Sequence, residues 1–216
     1  MELRHIIVEG PIAVGKTSLS RIIADEFGGE LELDPTRGTQ FLDSFYTDPE
    51  RWALPVQLEF LLRRLDQQTR VAERVAHGKT VISDYLMAKE DIFAHLTLGD
   101  AELGLYRDLG RRLAQAQGTA PPRPDLVIYL EARYEVLRER LDKRNRDFEK
   151  RISPDYLKTL AEAYRQYFYS YDETPLLVVN CSSIDFLESA DERVDLLREI
   201  RSAGRGVQHY TPLGLR

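Results

Sequence analysis

With one cysteine, Cys181, in 216 residues, the chain can form no intramolecular disulfide and no cysteine cage for a metal. A reducing cytoplasm is the compartment this predicts. The four histidines, His5, His77, His95 and His209, are dispersed, with no close pair suggesting a zinc site. Thirteen Gly and ten Pro are too few for a collagen-like or low-complexity chain. No segment approaches the roughly 20 apolar residues of a membrane span. The start, Met1-Glu2-Leu3-Arg4-His5, lacks the apolar region and cleavage site of a signal peptide. Basic residues are in deficit, 30 Lys+Arg against 36 Asp+Glu for a net charge of −6, which argues against a general nucleic-acid binder. The expected partners are therefore small molecules rather than nucleic acid or membrane. What remains is 43% hydrophobic and 31% charged, enough to bury the core of one domain spanning residues 1–216.

Short apolar runs alternate with longer segments of helical period, the pattern of a parallel-sheet α/β domain, doubly wound and five-stranded. Strands are predicted at 6–9, 31–33, 80–83, 126–130 and 176–179. Between them lie a helix ended by Gly28-Gly29, an aromatic-rich segment from Phe41 to Trp52, and a long helix ended by His77-Gly78. Residues 87–117 divide into two helices near Gly99-Asp100, with Asp100 as N-cap, and Ser153-Pro154 opens another helix. The last helix is predicted at 187–200, and residues 203–216 read as a loosely held tail. Tyr164, Tyr167, Tyr169 and Tyr171 invite comparison with a base-stacking platform. The acidic balance and helical context favour a packed helix face.

The sharpest local signal is Gly10-Pro11-Ile12-Ala13-Val14-Gly15-Lys16-Thr17, with Ser18 following, between a predicted strand and a predicted helix. In such a phosphate loop, backbone N–H groups wrap anionic phosphates at a positive helix N-terminus. Lys16 places a cation on the outer phosphates, and the Thr17 hydroxyl suits Mg²⁺. Asp84, directly after the apolar strand residues Val81-Ile82-Ser83, is the expected second carboxylate on the metal. It also suits capping of the following helix, and the two roles are compatible. Further on, Arg138, Arg140, Lys143, Arg144, Arg146, Lys150 and Arg151 crowd one stretch among Glu139, Asp142, Asp147 and Glu149. A solvated helix face is one reading; a lid over residues 140–151, closing on a transferring phosphoryl group, is the sharper one.

Taken together the motifs resemble the deoxynucleoside kinase family over nearly the whole chain. Those motifs are Glu9 through Thr17; Phe45-Tyr46-Thr47-Asp48-Pro49-Glu50-Arg51-Trp52; Gln57; Arg64; Pro124-Asp125-Leu126-Val127-Ile128-Tyr129-Leu130; and Arg140 through Glu149. The resemblance implies transfer of the γ-phosphoryl of ATP, or another nucleoside triphosphate, to a deoxynucleoside 5′-hydroxyl, with Mg²⁺ and strand order 2-3-1-4-5. It places Tyr46 and Glu149 against the sugar 3′-hydroxyl, Gln57 on the base edge, Phe93 against the base, and Trp52 in the pocket wall. It makes Arg140, Arg144 and Arg146 the lid arginines, of which Arg140 and Arg144, four apart on a helix, are the expected phosphate contacts. It also implies a homodimer built on helices, to which residues 54–77 could contribute.

Two positions depart from the family pattern. Asp34-Pro35 stands where a Glu-Pro is usual, which makes Asp34 the expected general base, with Glu32 as fallback. Asp84-Tyr85-Leu86 lacks the usual arginine after the acid, and Lys89, about one helical turn on, is the nearest replacement. Two rivals follow. A thymidylate-kinase type of enzyme would need a fixed cation for the substrate phosphate, for which Arg37 and Arg64 are candidates. A nucleotide-binding regulatory protein would have kept the phosphate loop and lost catalysis.

Overall fold

The computed structural model describes residues 3–34, 38–87, 89–118, 122–144, 146, 149–182 and 184–210. His5–Glu9 (β1), Glu30–Glu32 (β2), Val81–Ser83 (β3), Leu126–Glu131 (β4), Leu176–Asn180 (β5) and Val207–Tyr210 (β6) form one sheet in the order β2-β3-β1-β4-β5-β6. Every pairing is parallel. The inner strands bury nearly every residue, which is why they read as unbroken apolar runs rather than alternating ones.

Eight helices connect and cover the sheet among the described residues: Lys16–Phe27 (α1), Leu42–Thr47 (α2), Pro49–Ala76 (α3), Lys89–Thr97 (α4), Asp100–Gln117 (α5), Tyr134–Arg144 (α6), Pro154–Tyr169 (α7) and Ala190–Ser202 (α8). Leu19 and Ile23 of α1, Leu137 and Leu141 of α6, and Leu196 and Ile200 of α8 pack with Ile6, Val8, Ile128, Leu130, Leu177 and Val179 on one face. On the other, Leu160, Tyr164 and Phe168 of α7 and Ile92 of α4 cover Ile7, Val127, Tyr129 and Val178. A third cluster joins α2, α3, α4 and α5 through Phe45, Val56, Phe60, Leu61, Ala94 and Leu103.

Three expectations need correction. The sheet has six strands, not five, because Val207–Tyr210 lies inside the segment read as a tail; residues 211–216 of that segment fall outside the described residues. Three of the four β6 residues are exposed, so no buried run announces the strand, and its place is set by backbone pairing with β5. The N-cap of α5 is Gly99, whose N–H donates to the Glu102 carboxylate at 3.4 Å, and Asp100 is already helical. Tyr164 and Tyr171 are buried as a packed face requires, but Tyr169 is 94% exposed.

The crossovers bring the carboxyl ends of β1, β2 and β3 together. Glu9, Asp34 and Asp84, separated by up to 75 residues in sequence, leave the sheet at one edge. In open α/β sheets ligands bind in the crevice at such an edge.

Candidate active site

The loop after β1 has the backbone its glycines permit. Gly10 has φ of 151°, and a Cβ there would lie 2.3 Å from the Leu130 carbonyl oxygen, so no larger residue fits. Gly15, at φ 115°, is the N-cap of α1 and offers no side chain to the first-turn N–H groups, which keeps them for an anion. Lys16 folds back over the loop, its Nζ donating to the carbonyls of Gly10 (2.7 Å) and Pro11 (3.0 Å). Burial lowers its pKa to about 8, against the raising influence of Glu9. Thr17 Oγ1 donates to Asp84 Oδ2 at 2.5 Å. That pair supplies two hard oxygens side by side, the donor chemistry Mg²⁺ takes, with triphosphate oxygens and water completing a shell. No cluster of three or more His, Cys, Asp or Glu suited to a metal exists among the described residues.

Asp84 also reaches the other side of the site: its Oδ1 accepts the Asp34 N–H at 2.5 Å. Asp34 is held by Arg64, through Nε (3.3 Å) and Nη2 (3.2 Å), and by Lys89 Nζ at 3.1 Å. Burial alone would raise this carboxyl; Arg64 and Lys89 outweigh it and hold it far below the usual carboxylate range. Glu32, the fallback base, is instead paired with Arg70 and Arg74. Strand β2 ends at Glu32, so alternation does not extend to Asp34 and the two carboxylates part.

Around this pair lies a network that no spacing in the sequence announces. Arg64 Nη1 donates to Glu90, which also accepts the hydroxyls of Tyr85 (3.0 Å) and Tyr106. The Arg64 guanidinium lies between the rings of Phe60 and Tyr85, 4.6 and 4.4 Å from their centroids, and Lys89 Nζ lies 4.6 Å from the Tyr85 centroid. Glu9, fully buried, accepts from the N–H groups of Gly10 and Leu86 and from Tyr164, and sits 3.4 Å from Lys89 Nζ. One carboxylate therefore ties the phosphate loop to the β3–α4 connection, α4 and α7. Glu9 and Tyr85 stand in quoted stretches without roles of their own, and Glu90 and Tyr106 belong to no pattern, so residue spacing does not reveal their part in the network.

The remaining expected residues fall on both sides. Glu149 is buried, in a 3₁₀ turn spanning Glu149–Arg151, and its Oε2 has no hydrogen-bond partner among the described residues. Tyr46 stands near enough that burial first and then the Glu149 charge push its hydroxyl pKa up. Gln57 is 4% exposed and donates through Nε2 to Thr97 Oγ1 at 3.1 Å. Phe93, half-buried, meets Tyr164 edge-on at 6.2 Å. Trp52 stacks on Phe41 at 5.5 Å, with Arg51 over its ring.

The two lid arginines do not act on one spot in this structure. Arg140 donates to the carbonyls of Val14 (2.8 Å) and Cys181 (3.1 Å), against the phosphate loop. Arg144 pairs with Glu149 at 3.3 Å, and Arg146 with the same oxygen at 3.4 Å. The helical spacing is present in α6, but the carboxylate beyond the helix end captures Arg144. Arg140 and Arg144 belong to the regular helix α6, and no separate lid stands out among the described residues. Asn145, Asp147 and Phe148 of the segment, and Arg37, lie outside the described residues.

Comparison with known proteins points to one family. A family model described as deoxynucleoside kinase matches residues 6–203. The deoxyguanosine kinase of Bacillus subtilis (strain 168) is 32% identical over 187 residues, covering 84% of this chain and 88% of that protein. A deoxyadenosine kinase of Lactobacillus acidophilus is 25% identical over 209 residues, covering 92% and 95% of the two chains. The fold matches that of deoxyadenosine kinase from M. mycoides with bound dCTP at a TM-score of 0.74, with 20% identity, over 92% of this chain and 99% of that one. With its phosphate loop, the Asp84 bridge to Asp34, and sequence similarity extending from β1 to the end of α8, the chain belongs to the deoxynucleoside kinase family.

Proposed function

We propose that the chain transfers the γ-phosphoryl of ATP, or another nucleoside triphosphate, to the 5′-hydroxyl of a deoxynucleoside, giving the monophosphate and a diphosphate. The observation that carries this reading is Asp84, which holds Thr17 of the phosphate loop with one oxygen and the Asp34 backbone with the other, both at 2.5 Å. Donor loop and acceptor carboxylate are thereby set at one edge in fixed relation, which is what phosphoryl transfer by positioning demands.

Lys16 and the first-turn N–H groups of α1, from Gly15 through Ser18, take the phosphates, Lys16 exchanging its two carbonyl partners for phosphate oxygens. Thr17 and Asp84 fit Mg²⁺, which when bound supplies charge neutralisation on the phosphates. Asp34 orients the 5′-hydroxyl and takes its proton late, because a carboxylate held so low by Arg64 and Lys89 is a weak base. Lys89 supplies the cation that the family places as an arginine directly after the acid. Arg140, already against Val14, and Arg144 and Arg146 close on the transferring group from the lid, 140–151. Glu149, whose Oε2 has no partner among the described residues, meets the sugar 3′-hydroxyl together with Tyr46, Gln57 meets the base edge, and Phe93 and Trp52 wall the pocket.

Arg64 speaks against a monophosphate kinase. Its guanidinium is committed to Asp34 and Glu90 and closed between two rings, leaving it no role on a substrate phosphate. Purine deoxynucleosides are the first acceptors to try, the two quoted relatives being a deoxyguanosine and a deoxyadenosine kinase. A homodimer through α3 and α5 completes the proposal, with Leu62 and Leu105 each about half exposed there; sedimentation at monomer mass would refute it. No described helix is long and apolar enough to cross a membrane.

The test is phosphate transfer from Mg·ATP to the four deoxynucleosides and their monophosphates, for wild type, Lys16→Ala and Asp34→Asn. Turnover of a nucleoside that both substitutions abolish supports the proposal. Turnover of monophosphates alone supports the thymidylate-kinase type, and ATP binding without any transfer supports a regulatory protein.

A further inference from the structure

We propose that Thr97 is a positioning residue for base recognition: its hydroxyl decides which way round the Gln57 amide faces the nucleobase. The inference rests on the kinase reading above and deepens it.

A threonine hydroxyl carries one proton and two lone pairs. Thr97 Oγ1 donates that proton to the Phe93 carbonyl, one helical turn back, at 2.7 Å. What it has left for Gln57 is an acceptor, and an acceptor bonds an amide nitrogen and not an amide oxygen. The Gln57 Nε2 accordingly donates to it at 3.1 Å. Gln57 Oε1 is thereby turned away from α4; it accepts from no described residue, and although the residue is 4% exposed this oxygen is not among the fully enclosed atoms, so it faces the space a ligand could enter. An amide oxygen with no protein donor is open to a hydrogen bond from a ligand or water.

The amide therefore offers the site an acceptor, Oε1, beside its second N–H. A nucleobase edge that brings a donor opposite Oε1 and an acceptor opposite the N–H is satisfied; the transposed edge meets two repulsions. Without the Thr97 hydroxyl that orientation leaves an Nε2 N–H with no acceptor, so the amide turns over and only about a tenth of the protein keeps the order the base needs. The same turn of α4 carries Phe93, so the ring expected against the base and the hydroxyl that sets the amide are placed by one backbone segment.

Thr97→Val is close in shape and removes the hydroxyl. The expected result is a KM for the deoxynucleoside raised about tenfold, with kcat and the KM for ATP within twofold of wild type. Thr97→Ser, which keeps the hydroxyl, is expected to restore the wild-type KM. In a Gln57→Ala background, adding Thr97→Val is expected to change nothing further, because the threonine acts through the amide. A nucleoside KM unchanged in Thr97→Val, failure of Ser to restore it, or a full additional loss in the Gln57→Ala background overturns the proposal. If wild-type protein neither binds nor turns over any deoxynucleoside, the kinase reading falls and this inference falls with it. Normal wild-type turnover with an indifferent Thr97→Val removes this inference alone.

Discussion

Replacing Lys89 with Met keeps an unbranched side chain one atom shorter and removes a charge that is 2% exposed and bound to two carboxylates, Asp34 at 3.1 Å and Glu9 at 3.4 Å. Removing one partner of a buried ion pair costs about 3–5 kcal/mol. Both carboxylates keep other donors, Arg64 for Asp34 and two backbone N–H groups with Tyr164 for Glu9, which places the cost near the lower end, about 3 kcal/mol. For a chain of this size that corresponds to a fall in Tm of about 6–12 °C. Losing a fixed cation beside the reacting hydroxyl should lower kcat about 10²-fold, with little effect on the KM for ATP. The pH dependence has a definite sign. Asp34 is held below the normal carboxylate range, so what its charge contributes is complete above about pH 4 and lost as pH falls through the folded value. With Lys89 gone that value rises, and acid inactivation of the variant begins at higher pH than in wild type. Thermal melts and steady-state phosphate transfer between pH 4 and 8 measure all three effects, with Lys89→Arg as the charge-preserving control. A variant with Tm within 2 °C of wild type and kcat within twofold would refute the reasoning.

The Lys16 ammonium, with a pKa near 8 in the free protein, should make kcat/KM for ATP decline above about pH 8, and a profile flat to pH 10 would contradict this. Glu149→Gln should reduce kcat/KM for a deoxynucleoside by about 10-fold to 100-fold, the worth of a hydrogen bond to a charged group. The same substitution should barely alter turnover of the 2′,3′-dideoxynucleoside, so equal losses on both would remove Glu149 from the 3′-hydroxyl. His5 is buried and its pKa falls from 6.5 to about 4, chiefly by burial. Between those values the unfolded chain binds a proton that the folded chain refuses, so stability drops as pH falls, by about 2 kcal/mol between pH 7 and 4.5. Urea midpoints at the two pH values should show a smaller drop in His5→Gln.

What was legible in the sequence was local. The phosphate loop spans eight consecutive residues whose glycines, lysine and threonine act within one turn, so their spacing along the chain is nearly their spacing in space. The inner strands announce themselves because burial on both faces leaves a continuous apolar run, whereas β6, exposed at an edge, has no such run and was read as a tail. Arg140 and Arg144 stand four apart on α6, as the helical period requires, but that period alone does not bring their guanidinium groups to one spot. It did not anticipate Glu149, outside the helix, taking Arg144 away. Ser153 capping α7 through the Tyr156 N–H is another local feature that residue type alone made readable.

By itself, then, the amino-acid order determined the α/β class, the donor loop and, through the motifs shared with the family, the type of reaction to expect. The tertiary structure decided the acceptor side. Glu9, Asp34, Arg64, Asp84, Lys89 and Glu90 come from five separate elements and their loops, and Tyr106 from a sixth. Their mutual distances depend on how parallel strands are ordered and how α3, α4 and α5 pack over the sheet edge. The physical reason is that a hydrogen-bonded turn is governed by neighbouring dihedral angles. A buried ion network is governed by where long-range packing excludes water and leaves each charge only another residue's charge to satisfy it.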